Sequence, residues 1–302
     1  MNKIIPVSEP LMGKLEEKLV LDCLRTGWVS SEGKYVKEFE KACASYSGRK
    51  AGIATSGGST ALQVAVKCLP LSEGDEIIMP SFTIISCAIA IIEAGAVPVL
   101  VDSDPETWSM NVEEIEKKIT PKTKAIMAVH IYGHPADMDP ILKLAKIHNL
   151  YVIEDAAEAH GAEYKTQKCG GFGDISILSF YANKLITTGE GGMVLTDNPE
   201  FEKKARSLIN LCFKPEARFL HTEIGHNYRL SNINSALGAA QLTQLEKFVT
   251  RKREMAQMYQ EGLNDLPLQL PCEKEWAKNI YWMYGMVIDD SIDITANEFC
   301  HN

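Results

Sequence analysis

Short apolar runs alternate with amphipathic segments along most of the chain. Short apolar runs predict strands, and segments with apolar residues three or four positions apart predict helices. The strands predicted in this way cover residues 76–79, 97–101, 124–130 and 151–154, and the helices between them cover residues 83–93 and 138–148. Because helices that connect strands cover the sheet, the alternation predicts an α/β domain with a mainly parallel sheet, buried on both faces.

The same patterns divide the chain into two units. Leucines four residues apart predict a first helix that ends at Gly27, and residues 232–258 predict one long or bent helix. Residues 1–245 are interpreted as an N-terminal arm and a large domain. Residues 246–302 are interpreted as the start of a small C-terminal domain with a strand at 280–288. That unit is too short to enclose its own core, so the chain is expected to be incomplete.

Composition and charge narrow the possible functions. The 302 residues are 45% hydrophobic and 24% charged, and the formal net charge is -9. An acidic chain without a cluster of Lys and Arg is not expected to bind nucleic acid or an anionic membrane surface. The apolar runs are too short to span a bilayer, and the first thirty residues do not resemble a signal peptide. The sequence therefore predicts a cytoplasmic protein.

Cysteine and histidine do not indicate a metal site. The eight cysteines form no Cys-x-x-Cys pair and fall mostly in apolar patterns, which predicts free, buried thiols. His130 and His134 have the i,i+4 spacing of a helical metal site, but Gly133 and Pro135 disfavour a helix there. We therefore expect no metal.

A glycine-rich run, Thr55-Ser-Gly-Gly-Ser-Thr60, precedes a predicted helix at residues 61–68. Its glycines let the backbone approach an anion, and Ser59 and Thr60 offer hydroxyl groups. The dipole of the helix that follows favours negative charge. The run therefore predicts a phosphate site, although the same pattern is also typical of an ordinary helix N-cap.

Asp155 follows the strand predicted for residues 151–154. A carboxylate at this position can hold the proton on the ring nitrogen of pyridoxal phosphate, which keeps the ring an electron sink. A helix cap or a solvated turn would also explain an aspartate that follows a strand. The residue is therefore a candidate cofactor ligand.

Lys184 lies in a glycine-framed loop between apolar runs at 175–180 and 193–195. Most lysines are surface residues, but this setting holds the amine through the backbone, so that it can form an imine with the cofactor aldehyde. Ser179, five residues earlier, adds a hydroxyl for the phosphate. The three signals in this order predict a pyridoxal phosphate enzyme.

Seven motifs resemble the DegT/StrS family of pyridoxal phosphate-dependent nucleotide-sugar aminotransferases. They lie at residues 27–33, 56–62, 80–83, 129–134, 154–161, 179–192 and 225–229, and the resemblance extends from about residue 6 to about residue 290. It implies the aspartate aminotransferase fold (fold type I), in which helices flank a mainly parallel central sheet. It also implies a small C-terminal domain, truncated in this chain.

The resemblance implies a role for each site residue. Lys184 forms the imine, and Asp155 pairs with the ring nitrogen. Further contacts with the cofactor are implied for Gly58, Ser59, Thr60, Ile84, Glu158, Ser179 and Asn227. Of these, Asn227 reaches the phosphate bound by the neighbouring subunit. The protein is therefore expected to work as a homodimer with shared active sites.

The reaction implied by the resemblance transfers an amino group from an amino acid donor, usually glutamate, to the keto carbon of a nucleotide-linked deoxysugar. A dehydratase branch has histidine in place of the lysine, so Lys184 favours the aminotransferases. Its loop, together with Glu158, looks most like the perosamine synthase branch. That branch aminates the 4-keto carbon of GDP-4-keto-6-deoxymannose for cell-surface polysaccharide.

Three features depart from the family pattern. Many members have glutamine at the position of Glu158, where an ionised carboxylate would repel the cofactor's phenolate. The change Glu158→Gln is therefore expected to leave activity largely intact. An aromatic residue commonly stacks on the ring where this chain has Ile84, and Phe82 lies nearby in sequence. Members also continue well beyond residues 282–285.

Two other functions fit parts of the sequence. A regulatory or assembly protein that binds pyridoxal phosphate without catalysing a reaction would have the same fold. A nicotinamide-dependent dehydrogenase would share the α/β pattern, but no Gly-x-Gly-x-x-Gly follows the first strand. The glycines at 170–173 precede a strand instead.

Overall fold

The structure is a computed structural model that describes residues 6–214 and 216–301. Its helices are α1 (Lys14–Thr26), α2 (Lys34–Tyr46), α3 (Gly58–Cys68), α4 (Ser86–Ile92), α5 (Val112–Lys118), α6 (Met138–His148), α7 (Pro199–Leu208), α8 (Asn232–Leu242), α9 (Leu245–Leu263) and α10 (Ala296–His301). Its strands are β1 (Ala51–Thr55), β2 (Glu76–Pro80), β3 (Val97–Val101), β4 (Thr123–Val129), β5 (Tyr151–Asp155), β6 (Glu163–Tyr164), β7 (Gln167–Lys168), β8 (Ile175–Ser179), β9 (Gly192–Thr196), β10 (Leu268–Gln269), β11 (Ala277–Lys278) and β12 (Val287–Ile288).

A seven-stranded sheet forms the centre of the fold, with the strand order β1-β9-β8-β5-β4-β2-β3. The pairs from β3 to β8 are parallel, whereas β9 runs antiparallel to both β8 and β1. Val152 and Ile153, neighbours in β5, belong to apolar clusters on opposite faces. The predicted α/β fold with a mainly parallel sheet is confirmed. Asp155 ends β5, at the sheet edge where such folds bind ligands.

The edge strand β3 differs from the expectation of a sheet buried on both faces. Val97 is 47% exposed and Leu100 is 50% exposed, so the side chains of β3, at one edge of the sheet, are only partly covered. Ile85 and Ile92, at the two ends of α4, are exposed as well. Large exposed apolar surfaces of this kind are typical of contacts with another protein.

The helix predicted for residues 232–258 is two helices in the structure. α8 ends at Leu242, and α9 begins at Leu245. Between them, the Thr243 N–H donates to Ala240 O at 3.1 Å, and this i→i−3 bond tightens the turn. α4 likewise begins at Ser86 rather than at residue 83.

The strand predicted for residues 280–288 is wrong over most of its length. Only Val287–Ile288 is a strand, and it pairs with β10. Residues 281–286 form an irregular loop, in which Tyr281 has a φ of 48°. Two apolar residues of the predicted strand are buried without forming a sheet, since Ile280 is fully buried and Trp282 is 6% exposed.

The C-terminal segment contacts the preceding part of the chain. β11 pairs with β6 of the β6–β7 hairpin, and β10 and β12 pair with each other. Leu245 and Val249 of α9 pack in the same apolar cluster as Phe39 of α2. The division into residues 1–245 and 246–302 remains a prediction, and its first five residues and Asn302 lie outside the described residues.

All eight cysteines are free and six are buried, which confirms the prediction of free thiols. Within residues 6–214 and 216–301, no helix combines the length and the apolar character that a membrane crossing requires.

Close packing of α8 on α2 makes Gly238 sensitive to substitution. A Cβ at Gly238 would lie 2.4 Å from Phe39 Cζ. We expect Gly238→Ala to lower the free energy of unfolding by about 1–3 kcal/mol, because the helices must separate. The control is Gly262→Ala in α9, where no atom lies within 4 Å of the new Cβ and helix propensity predicts a gain of up to about 1 kcal/mol. Urea unfolding measures both variants, and equal effects would contradict the packing argument.

Candidate active site

The carboxyl ends of β4, β5 and β8 meet the beginnings of α3 and α4 at one cavity. Its volume is about 320 Å³, which lies in the range of small-ligand sites. All the predicted site residues except Thr60 and Asn227 line it. The lining consists of Gly58, Ser59, Leu62, Thr83, Ile84, Ser86, Val129, Asp155, Ala157, Glu158, Ile177, Ser179, Tyr181, Asn183, Lys184 and Trp282.

Gly58 allows α3 to begin directly against β8. A Cβ at Gly58 would lie 2.6 Å from Ser179 Cβ, so a larger residue would push the two elements apart. Gly192, the register partner of Ser179, has a similar function, because its Cβ would lie 2.3 Å from Gly57 O. The first turn of α3, whose N–H groups have no partner within the helix, therefore borders the cavity and favours an anion there.

Serine hydroxyls add polar groups beside this turn. Ser59 Oγ lies 2.8 Å from Ser86 Oγ, and both residues line the cavity with Ser179. Thr60 instead donates its hydroxyl to Gly57 O at 2.8 Å, so this hydroxyl is directed at the backbone that precedes the helix. Sequence reasoning missed Ser86, although its position three residues after the motif that ends at Thr83 was a usable signal.

Asp155 presents a buried carboxylate at the end of β5. It is 1% exposed, and its oxygens accept from Ala157 N at 3.0 Å and from the Cys87 thiol at 3.2 Å. Burial raises the pKa of this carboxyl, whereas the Ala157 and Cys87 bonds and the nearby Lys184 amine oppose the rise. The aspartate has a fixed orientation and a strong need for a cationic partner.

The loop that carries Lys184 is held at its base by Phe180. Phe180 N donates to Gly191 O at 2.8 Å, and Thr188 N donates to Phe180 O at 3.0 Å. Within the loop, Lys184 N donates to Tyr181 O at 2.9 Å. These bonds agree with the sequence expectation that the backbone positions the lysine.

The Lys184 amine lies inside the cavity. Its side chain is 11% exposed, and Nζ lies 3.7 Å from Glu158 Oε1. Burial lowers the pKa of this amine below its ordinary value, although Glu158 and Asp155 oppose the change. A lowered pKa increases the unprotonated fraction, which is the form that attacks an aldehyde.

Glu158 faces two partners rather than solvent. Its Oε2 accepts from Tyr132 N at 2.8 Å, and its Oε1 faces the Lys184 amine. Burial raises the pKa of this carboxyl, and Lys184 and the Tyr132 N–H oppose the rise. The glutamate therefore forms part of a charge pair with the lysine.

Ile84 lines the cavity and is 57% exposed. Phe82 is 45% exposed and contacts Tyr132 edge to face, with ring centroids 5.9 Å apart. Phe82 lies outside the cavity lining, so Ile84 is the better placed of the two to pack on a bound ring.

Asn227 does not line the cavity of its own chain. It is exposed, and its backbone forms a bridge with Asn210. The contact with a neighbouring subunit that the resemblance implies for Asn227 stays a prediction.

A buried cluster of His130, Glu154 and Cys169 could geometrically hold a metal ion. However, His130 Nε2 lies 2.8 Å from Glu154 Oε1, and His130 Nδ1 accepts from Ala136 N at 2.9 Å. Glu154 also accepts from Gly170 N at 2.6 Å and from the Phe172 N–H. These bonds use both histidine nitrogens and both carboxylate oxygens, and they explain the cluster as a support for the end of β5.

Trp282 is the second residue that sequence reasoning missed. Its ring centroid lies 3.7 Å from Lys184 Nζ, although the two residues are almost a hundred positions apart. No local pattern predicts such a contact, because it depends on the path of the irregular 281–286 loop.

Comparison with known proteins shows similarity over nearly the whole chain. Residues 10–300 match the DegT/DnrJ/EryC1/StrS aminotransferase family. GDP-perosamine synthase of Escherichia coli O157:H7 is 45% identical over 285 residues, which cover 94% of this chain and 78% of the relative. GDP-perosamine synthase of Caulobacter vibrioides is 41% identical over 296 residues, which cover 97% and 80%. The structure of the aminotransferase TlmJ from Streptoalloteichus hindustanus has a TM-score of 0.91 and 31% identity, over 96% of this chain and 80% of that chain.

The cavity fits pyridoxal phosphate in size and in chemistry. The glycine-opened helix start offers donors for a phosphate, Asp155 offers a carboxylate for a protonated ring nitrogen, and Lys184 offers a buried amine. The structural neighbours confirm the predicted aminotransferase fold. The chain belongs to the DegT/DnrJ/EryC1/StrS family of pyridoxal phosphate-dependent aminotransferases.

Proposed function

We propose that this enzyme transfers the amino group of L-glutamate to the 4-keto carbon of GDP-4-keto-6-deoxymannose and so forms GDP-perosamine for cell-surface polysaccharide. The observation that carries the proposal is the 45% identity, over 94% of the chain, to a relative named GDP-perosamine synthase. A lysine at position 184 supports amination over the dehydratase branch. A regulatory or assembly role without catalysis is not favoured by the relatives' names.

Lys184 and Asp155 are proposed to act on the reacting part of the site. Pyridoxal phosphate, when bound, supplies the electron sink that amino transfer requires. Asp155 holds a proton on the ring nitrogen, because its buried carboxylate is stabilised by a cation. Lys184 binds the cofactor and, when released, moves the proton at the carbon that exchanges the amino group.

The remaining cavity residues are proposed to bind and orient. The N–H groups at Gly58 and Ser59, with the hydroxyls of Ser59, Ser86 and Ser179, hold the phosphate. Ile84 packs on the face of the ring. Glu158 holds the Lys184 amine when the lysine is free.

The enzyme is proposed to be a homodimer that completes its sites across the interface. Exposed apolar residues on α4 and β3 support this assembly, since such a surface favours burial against a second copy. Asn227 is exposed and does not line the cavity of its own chain, and its side chain is proposed to reach the phosphate bound by the partner. Six buried free thiols support a reducing, cytoplasmic compartment.

An amination assay tests the proposed reaction directly. We expect L-glutamate to aminate GDP-4-keto-6-deoxymannose in preference to UDP- and dTDP-linked 4-keto sugars. Lys184→Ala should lower turnover by about 100-fold to 10,000-fold, because it removes the proton-transfer group. Mass spectrometry and NMR of the product give the nucleotide and the aminated carbon. A preference for another nucleotide would contradict the proposed substrate. If no amino donor changes the visible absorbance of the cofactor, a regulatory or assembly role without catalysis is favoured instead.

The approach of α3 to β8 predicts that Gly58 is required for cofactor binding. Gly58→Ala places a Cβ 2.6 Å from Ser179 Cβ, so we expect the Kd for pyridoxal phosphate to rise at least about tenfold. Gly57→Ala is the control, because its nearest neighbour would be Thr60 Oγ1 at 3.8 Å. Titration of cofactor-free protein measures both Kd values, and equal affinities in the two variants would contradict the role of Gly58.

Glu158→Gln tests the charge pair with Lys184. The amide oxygen can still accept from Tyr132 N, so we expect most turnover to remain. The carboxylate stabilises the ammonium form of Lys184 and so raises its pKa. Its removal therefore lowers that pKa, and cofactor capture by cofactor-free protein should reach its half-maximal rate at a lower pH. The exposed Glu190→Gln in the same loop is the control, and loss of most turnover in Glu158→Gln would refute this expectation.

A further inference from the structure

Trp282 reaches the active-site cavity from the loop between β11 and β12. The residue is 6% exposed, although it belongs to no helix or strand. The loop is held against Gly133, where φ is 100° and a Cβ would lie 2.8 Å from Trp282 N. Lys252 of α9 donates from Nζ to Trp282 O at 3.1 Å. Contacts with two other segments therefore fix the backbone that carries the indole.

The indole makes two contacts with the lysine loop. Its ring centroid lies 3.7 Å from Lys184 Nζ, and its Nε1–H donates to Asn183 O at 2.8 Å. An indole face attracts a cation, and the attraction is larger where water is excluded. The Lys184 side chain is only 11% exposed, so this contact is largely desolvated.

Three ionisable groups also lie near the Lys184 amine. Glu158 Oε1 lies 3.7 Å from Nζ, and Asp155 adds a second carboxylate from the end of β5. His160, in the turn after β5, is neutral because burial lowers its pKa to about 3. The ring face of Trp282 also attracts the ammonium form of Lys184, but the indole itself does not titrate.

We propose that Trp282 is a positioning residue for Lys184. Its ring holds the amine at the cavity wall and favours the protonated form, and its N–H fixes Asn183 and thereby the lysine loop. The proposal rests on the proposed assignment of Lys184 as the amine that binds the cofactor. It gives the irregular 281–286 loop a function in setting the pH at which that amine reacts.

The test is the pH dependence of the rate at which cofactor-free protein captures pyridoxal phosphate, followed by visible absorbance. This rate reports the unprotonated fraction of Lys184. Trp282→Leu removes the ring, so we expect the midpoint of the pH profile to fall by about one unit. Trp282→Phe keeps a ring face and loses the N–H. Its midpoint should stay within about half a unit of the wild-type value, and the cofactor should dissociate about fivefold faster.

Trp276→Leu is the matched control. Trp276 packs on His134 and Tyr164 and lies outside the cavity lining, so the midpoint should not move. An unchanged or raised midpoint in Trp282→Leu would overturn the proposal, and so would an equal shift in the control. If circular dichroism shows that Trp282→Leu is unfolded, Trp282→Met replaces it, with the same fall expected because the ring is again absent.

Borohydride reduction of the loaded protein and peptide mapping separate this proposal from the site assignment. Label on Lys184, with no fall of the midpoint in Trp282→Leu, would overturn the role of Trp282 alone. Label on another lysine would overturn the assignment of Lys184 and the role of Trp282 together.

Discussion

The burial of one amine with two carboxylates is the constraint on which the site depends. Water exclusion favours the neutral form of each group, and their mutual attraction favours the charged forms. Lys184 therefore has a lowered pKa, whereas Asp155 and Glu158 have raised ones. Backbone N–H groups from Ala157 and Tyr132 hold the two carboxylates in place. Burial keeps the amine reactive, and the two carboxylates, which outnumber it, favour a further cationic partner in the site.

A second constraint is the close approach of backbone segments at the end of the cavity that is proposed to hold the phosphate. Gly58 and Gly192 have neighbours so near that a Cβ at either position would overlap them. Side chains are therefore excluded from the junction of α3, β8 and β9, and serine hydroxyls and helix N–H groups occupy the cavity beside it. The glycines are needed here for space, since their φ angles lie outside the left-handed region.

Local chemistry made much of the fold and site predictable. The strand that ends at Asp155 and the glycine-framed loop of Lys184 are continuous in sequence, so their patterns were visible without the structure. The break between α8 and α9 depends on a single turn. The strand prediction for residues 280–288 was wrong over most of its length because the buried residues there do not belong to a sheet. Trp282 could not be placed because its contact with Lys184 spans distant segments.

The antiparallel position of β9 has a consequence for the order of folding. Ser179 of β8 pairs with Gly192 of β9, so the lysine loop closes a local hairpin with a small loop entropy. β1 also pairs with β9, and the register partner of its Thr55 is Gly192, which is synthesised far later. Contacts of large sequence separation are slow to form. During synthesis we therefore expect the β8–β9 hairpin, which carries the Lys184 loop, to form before β1 pairs with β9. Until that pairing forms, β1 is an unpaired strand that can aggregate.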